Sequence, residues 1–135
     1  MNNADQIEYW NGPAGQKWVD QSDRLDAMLA PFADKVIAAA ALTPGEAVMD
    51  IGCGAGALTL RAAAKVGAEH GALGVDVSAP LIALARARAA EAKAPARFEL
   101  ADASAFTAPD PADIVISRFG VMFFEDPAAA FANIR

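Results

Sequence analysis

Residues 45–56, Gly45-Glu-Ala-Val-Met-Asp-Ile-Gly-Cys-Gly-Ala-Gly56, run from a turn through an apolar stretch into three glycines spaced two apart. Val48, Met49 and Ile51 suit a strand covered on both faces, and Pro44-Gly45 supplies the turn before it. Beyond the glycines, Leu58, Leu60 and Ala62-Ala-Ala64 resume a helical pattern. The spacing therefore predicts a buried strand, a tight loop and a helix start. Gly52, Gly54 and Gly56 let the backbone turn sharply and let a ligand approach with no Cβ in the way. The helix that follows leaves unpaired N–H groups facing such a ligand.

A glycine turn of this kind also serves enzymes that hold a dinucleotide pyrophosphate, or serves as a plain turn with a capping Asp. Asp50 separates these readings. Its carboxylate would lie close to a pyrophosphate, and like charges about 4 Å apart cost roughly 1–4 kcal/mol, depending on the effective dielectric. A cationic ligand gains instead, and S-adenosylmethionine, with a sulfonium, an ammonium and one carboxylate, fits.

Outward from this centre the chain alternates strands and Ala-rich helices, which predicts an α/β domain. Ala72-Leu-Gly-Val-Asp-Val77 reads as a second strand whose Asp76 lies 24 residues beyond Gly52, where an acid can accept both hydroxyls of a ribose. Ser78 and Pro80 open a helix running to about Lys93, and Pro95 stops it. Ala96–Leu100 is a third short strand, followed by Ala101-Asp-Ala103. Ala112–Ser117 is the fourth, its Ile114-Val-Ile116 run reading as buried on both faces. A last helix starts after Asp126-Pro127. Upstream, Ser22–Leu42 is an amphipathic helix expected to break near Pro31. Residues 5–22 mix Tyr9, Trp10 and Trp18 with Gly12, Pro13 and Gly15, a segment lying over the domain.

Composition narrows the partners. Seventeen acidic against 11 basic residues give a net charge of −6 with no basic stretch, which disfavours nucleic acid. No apolar run approaches a membrane span and the N-terminus lacks a secretory signal, so the expectation is a cytoplasmic protein. One cysteine and one histidine make neither a disulfide nor a Cys/His metal site. Cys53 suits the loop by its small volume, and His70 lies in a polar turn.

The Gly45–Gly56 stretch resembles motif I of class I S-adenosylmethionine-dependent methyltransferases, in which the acid and the glycines hold the methionine end of the cofactor. Asp102 and Ala103 match the family's acid after the third strand and its neighbour, which bind the adenine amino group and ring. The resemblance implies a Rossmann-like methyltransferase sheet with strands in the order 3-2-1-4 and flanking helices. It implies a cofactor site of Asp50, Gly52, Cys53, Gly54, Gly56, Asp76, Val77, Asp102, Ala103 and Ser117, with Tyr9 and Trp18 from a lid over residues 1–42. Residues 43–135 would be the cofactor-binding domain. Four motifs in order over residues 48–118 carry the resemblance, and the whole chain is most similar to the small-molecule group that includes quinone and sterol C-methyltransferases.

The family's chemistry is in-line attack on the cofactor methyl, which requires no side-chain nucleophile, so no catalytic residue is named. Ser117-Arg-Phe-Gly120 stands where methyltransferases of amide or exocyclic base nitrogens carry Asn/Asp-Pro-Pro-Tyr/Phe, which argues against that chemistry. Phe119, Val121, Met122, Phe123 and Phe124 suit either the core or a pocket for a small hydrophobic acceptor. Relatives continue past the last helix with three more strands, so C-terminal strands are expected to be missing here. That would leave the fourth strand at an edge, open to self-association. A nicotinamide-dependent oxidoreductase would leave Asp50 and Asp102 without a role, and a non-catalytic binding module of the same fold is the other alternative.

Overall fold

Residues 2–135 are described by the computed structural model. Three helices come first: α1 (Asn3–Asn11), α2 (Pro13–Asp20) and α3 (Ser22–Ala40). There follow β1 (Val48–Ile51), α4 (Ala57–Val66), β2 (Ala72–Asp76), α5 (Ala79–Ala92), β3 (Ala96–Leu100), β4 (Ile114–Ile116), a 3-10 turn at Gly120–Phe123 and α6 (Pro127–Ile134). All strand pairs are parallel and the sheet order is β3-β2-β1-β4, as the resemblance implied.

Side-chain alternation along β1 sorts the core into two faces. Val48 joins Leu58, Ala62, Ala63 and Val66 of α4, Ala33 of α3 and Ile116, so α3 and α4 cover this face of β1 and β4. Beside them α5 lays Ile82, Ala85 and Ala89 against Phe98 and Cys53. Met49, Ile51 and Val75 point the other way, under Ala101, Phe106, Ala112, Phe124 and Ile134. β1 is buried at all four positions, which is why Val48, Met49 and Ile51 are apolar and Asp50 is its one charged residue.

Two expectations give way. Helix α3 runs unbroken through Pro31. The hydrogen bond that proline forfeits would join it to Ala27, and both residues lie on the exposed side, where water can take the freed carbonyl. β4 is shorter than read and is not buried on both faces: Val115 is 40% exposed while Ile116 is buried. Its start is pinned by a side chain, since Asp113 Oδ2 accepts the Ala47 N–H at 2.8 Å. Covering elements meet Ile114 and Ile116 on one face, whereas the face carrying Val115 is only partly covered among the described residues.

After β1 and β4 the two chains cross. A Cβ on Gly52, whose φ is +68°, would lie 2.4 Å from Gly120 Cα, and one on Gly120 would lie 2.2 Å from the Ile51 carbonyl oxygen. Ser117 Oγ donates to that carbonyl at 2.8 Å and accepts the Gly120 N–H at 3.0 Å, which stitches the crossing together.

Gly52→Ala should therefore destabilise the fold by roughly 3 kcal/mol or more through backbone collision. Gly54→Ala shares a positive φ but meets no atom within 4 Å, so it should cost only about 1–2 kcal/mol. Urea unfolding of the two variants checks this, and equal losses would show that the crossing is not the constraint.

Candidate functional site

Beside this crossing, β1 has β4 on one side and β2 on the other, which is the reversal of strand order where open α/β sheets bind ligands. A cavity of about 250 Å³ opens there. Its floor is Ile51–Ala55, its sides are Val75–Val77, Ala101–Ala103 and Arg118–Gly120, and Trp10, Trp18 and Leu29 close over it. A broader groove between α3 and α4 gathers no comparable set of polar groups.

Of the residues picked from sequence, Asp50, Gly52, Cys53, Gly54, Asp76, Val77, Asp102, Ala103 and Trp18 line this one cavity. Gly56, Ser117 and Tyr9 do not. Gly56 has φ +88° and a Cβ there would strike Phe98 and Ala85, so its role is close packing of the helix start on α5 and β3. Ser117 spends its hydroxyl on the crossing. Tyr9 is 50% exposed, and Trp10 beside it faces inward. On α1 the stripe Asn3, Gln6, Trp10 recurs at helical spacing and lines the cavity, so Trp10 rather than Tyr9 joins Trp18 there.

The three carboxylates occupy distinct environments. Asp76 Oδ2 accepts the Gly54 N–H at 2.8 Å and Oδ1 accepts the Ser78 N–H at 2.9 Å, so this acid also shapes the glycine loop. Burial raises its pKa, against the pull of those donors. Asp102 accepts from Ser104 N at 2.9 Å, Ser104 Oγ at 2.7 Å and the Asn3 amide. Asp50 is fully buried; Thr59 Oγ1 donates to its Oδ2 at 2.7 Å and its Oδ1 has no partner. Burial pushes its pKa up to about 7, only partly offset by Thr59 and the positive charge of Arg118.

The other reactive groups are quiet. Burial, with Asp50 and Asp76 nearby, raises the Cys53 thiol well above its ordinary range, so it stays protonated, and its sulfur fills the space over Gly74. His70 is exposed beside Glu69, away from the cavity. No group of three His, Cys, Asp or Glu suited to a metal occurs among the described residues.

Sequence reasoning missed Arg118, Asp26, Trp10, Asn3 and Gln6 as lining residues. Trp10 was legible in principle, since helical phase on α1 groups it with Asn3 and Gln6 rather than Tyr9. Arg118 had a weaker signal: it is the one charge in the run from Ile114 to Phe124.

Asp50 gives the site a pH signature. Between its unfolded pKa near 4 and its folded pKa near 7, the native state holds a proton that the unfolded chain has lost. Its contribution therefore favours folding at low pH and declines as pH rises through about 7. From pH 5 to 8 the loss should be about 2–3 kcal/mol. Asp50→Asn should remove this component, so its stability relative to the parent should rise steadily over that range in thermal melts. A constant difference would show that Asp50 does not titrate there.

Comparison with known proteins follows the same residues. The family described as a methyltransferase domain matches residues 48–135. An uncharacterised protein of Mycobacterium tuberculosis is 37% identical over 112 residues, covering 82% of this chain and 40% of its own length. Aklanonic acid methyltransferase DauC of Streptomyces sp. (strain C5) is 33% identical over 115 residues, 82% of this chain and 52% of its own. The solved structure of magnesium protoporphyrin IX methyltransferase from Synechocystis PCC 6803 with bound SAH matches with a TM-score of 0.76. It covers 98% of this chain and 66% of that one at 22% identity, a likeness of fold. The chain thus spans about two fifths of the length of the mycobacterial relative.

Proposed function

The chain belongs to the methyltransferase domain family, and from that premise we propose that it binds S-adenosyl-L-methionine and serves methyl transfer to a small, hydrophobic acceptor. The observation that carries this reading is the convergence of Asp50, Asp76, Asp102 and the Gly52–Gly54 turn on one cavity at the switch point. The bound donor would supply an electrophilic methyl that an acceptor nucleophile attacks in line, leaving a neutral thioether.

The residues present suit that ligand. Asp76 keeps acceptor sites for a ribose diol beyond the two backbone donors it already holds. Asp102 and Ala103 offer an acceptor and a small, flat wall to an adenine. Asp50 disfavours a pyrophosphate and gains from a cation. No side chain is assigned as nucleophile or base; orientation and exclusion of water carry the catalysis. Phe119, Phe123 and Phe124 face the cavity, Val121 packs in the core, and Met122 is 67% exposed, so the run after β4 divides between core and pocket. The three cavity-facing rings support an apolar acceptor.

On this reading residues 1–42 act as a lid and residues 43–135 as the cofactor-binding domain. Asn3, Gln6, Trp10 and Trp18 in the cavity wall support the division; Met1 lies outside the described residues. No helix among the described residues is long and apolar enough to cross a membrane, which is compatible with a cytoplasmic location. The outer edge of β4, with Val115 exposed, is the surface for any self-association.

Calorimetry with S-adenosylhomocysteine and with NAD tests the proposal. The expected result is binding of the first and not the second. Asp76→Ala should weaken S-adenosylhomocysteine roughly tenfold or more, since two charge-assisted hydrogen bonds are lost. Binding of NAD in place of S-adenosylhomocysteine would overturn the reading.

A further inference from the structure

The cavity carries a second set of groups, distinct from the glycine loop and the strand-end acids. Met28 of α3, with Phe119 and Phe123 from the run after β4, line it, yet all three are exposed. Phe119 stands edge-on to Phe32 of α3, ring centroids 5.1 Å apart, and Phe123 stands edge-on to Trp10 at 6.0 Å. These contacts brace the two rings, so an apolar surface is formed at the cavity mouth before any ligand arrives. Exposed rings and a thioether gathered beside a cavity suit a ligand with an apolar, ring-sized body.

Arg118, the one cation lining the cavity among the described residues, belongs to this mouth. It directly precedes Phe119, and its guanidinium lies against α3, with Nη1 3.5 Å from Leu29 O and Nη2 3.9 Å from Asp26 Oδ1. Both distances exceed the ordinary range of a hydrogen bond. The side chain is only 14% exposed, so most of its N–H donors face neither a good protein partner nor open solvent. The neighbouring acids oppose an anion there only in part. Asp26 Oδ2 accepts Arg88 Nη1 at 2.8 Å, which offsets its charge, and Asp50 is buried with its pKa pushed up to about 7.

A wholly apolar ligand would cover Arg118 and leave its donors unpaired, and a cationic one would meet it at like charge. An ionised oxygen on an apolar body answers both features. We propose that the methyl acceptor is an acidic aromatic compound bound as its anion, its rings on Met28, Phe119 and Phe123 and its carboxylate or phenolate oxygen on Arg118. This rests on the methyl-transfer reading above and deepens it by naming the class of acceptor, with Arg118 as the residue that selects the anion.

The test is calorimetry on the whole chain, first with S-adenosylhomocysteine and then, on protein saturated with it, with 2-naphthoate and 2-naphthamide, which share a body and a planar head but differ in charge. The parent protein should bind 2-naphthoate roughly tenfold more tightly than the amide. Arg118→Met should remove most of that preference by weakening the naphthoate, with the amide and S-adenosylhomocysteine each within about threefold of the parent, and Arg118→Lys should recover part of it. Met28→Ala should weaken both naphthalene probes alike, since it removes apolar surface and no charge. Equal binding of the two probes by the parent, or binding of neither, overturns the proposal. So does an Arg118→Met variant that loses S-adenosylhomocysteine together with the naphthoate, because Arg118 would then serve the cofactor or the fold. In each of these cases S-adenosylhomocysteine bound to the parent leaves the cofactor reading standing; its failure to bind the parent removes that reading and the proposal together.

Discussion

Everything at the site depends on two backbones passing closer than any side chain permits. Gly52 directly follows the first strand and Gly120 opens the turn after the fourth, and a Cβ on either would meet the other segment's backbone at 2.2–2.4 Å. The contact fixes three things together. It turns the β1 loop back so that the Gly52 and Cys53 N–H groups donate to Val75 O at 2.9 and 3.1 Å, which locks β1 to β2 beyond the last strand pair. It carries Phe119 at φ +67°, a left-handed conformation that a bulky residue adopts only when its surroundings demand it. It also sets Arg118 at the cavity wall. Strand order decides where a ligand can sit, and this crossing decides which side chains meet it.

Asp50 shows how the fold and the site compete. A carboxylate buried without a cation partner works against folding, and a Val at its position in the β1 sequence would extend the apolar run. The sheet tolerates it because Thr59, in the first turn of α4, supplies a hydroxyl, and because a pKa of about 7 lets the group shed its charge when the cavity is otherwise uncompensated. A cationic ligand would reverse that balance by favouring the ionised form, so part of the binding energy of such a ligand goes to recharging Asp50. An acid at this position costs stability, and the same charge would favour a cationic ligand.

Much of this was legible in the sequence because the relevant signals are local. A doubly covered strand reads as an apolar run, a tight loop reads as glycines, and strand-end acids read by their offsets. What escaped depends on tertiary phase and cover. Tyr9 and Trp10 are adjacent and chemically alike, and only the packing of α1 shows which turns inward. Pro31 carries the mark of a helix break, but the mark has force only where the freed carbonyl is buried, and here it faces out. Ile114-Val115-Ile116 looks like any central strand, because its sequence does not reveal that the face carrying Val115 is incompletely covered. Ser117 and Gly56 lie in motifs read as ligand contacts, and neither lines the cavity: Ser117 hydrogen-bonds across the crossing and Gly56 packs under Phe98 and Ala85, which a motif cannot distinguish from binding.

The carboxylates of the cavity can also be compared by what each has left to offer. An ionised carboxylate has about four acceptor sites. Asp76 gives two to the Gly54 and Ser78 N–H groups, leaving two, the number a vicinal diol requires. Asp102 gives three, to Ser104 N, Ser104 Oγ and the Asn3 amide, leaving one, the number an exocyclic amine requires. The Asn3 contact belongs to α1, whose other end is held at the β2–α5 junction, where Asn11 donates to Val77 O at 2.7 Å and Ser78 Oγ donates to Trp10 O at 2.8 Å. The arm is thus fastened beside Asp76 at one end and on Asp102 at the other, spanning the two acids given to the nucleoside. A ligand that fills the vacant acceptor sites need not displace the arm from either anchor, so the arm and the ligand share these carboxylates, and the order imposed on the arm is present before the ligand arrives.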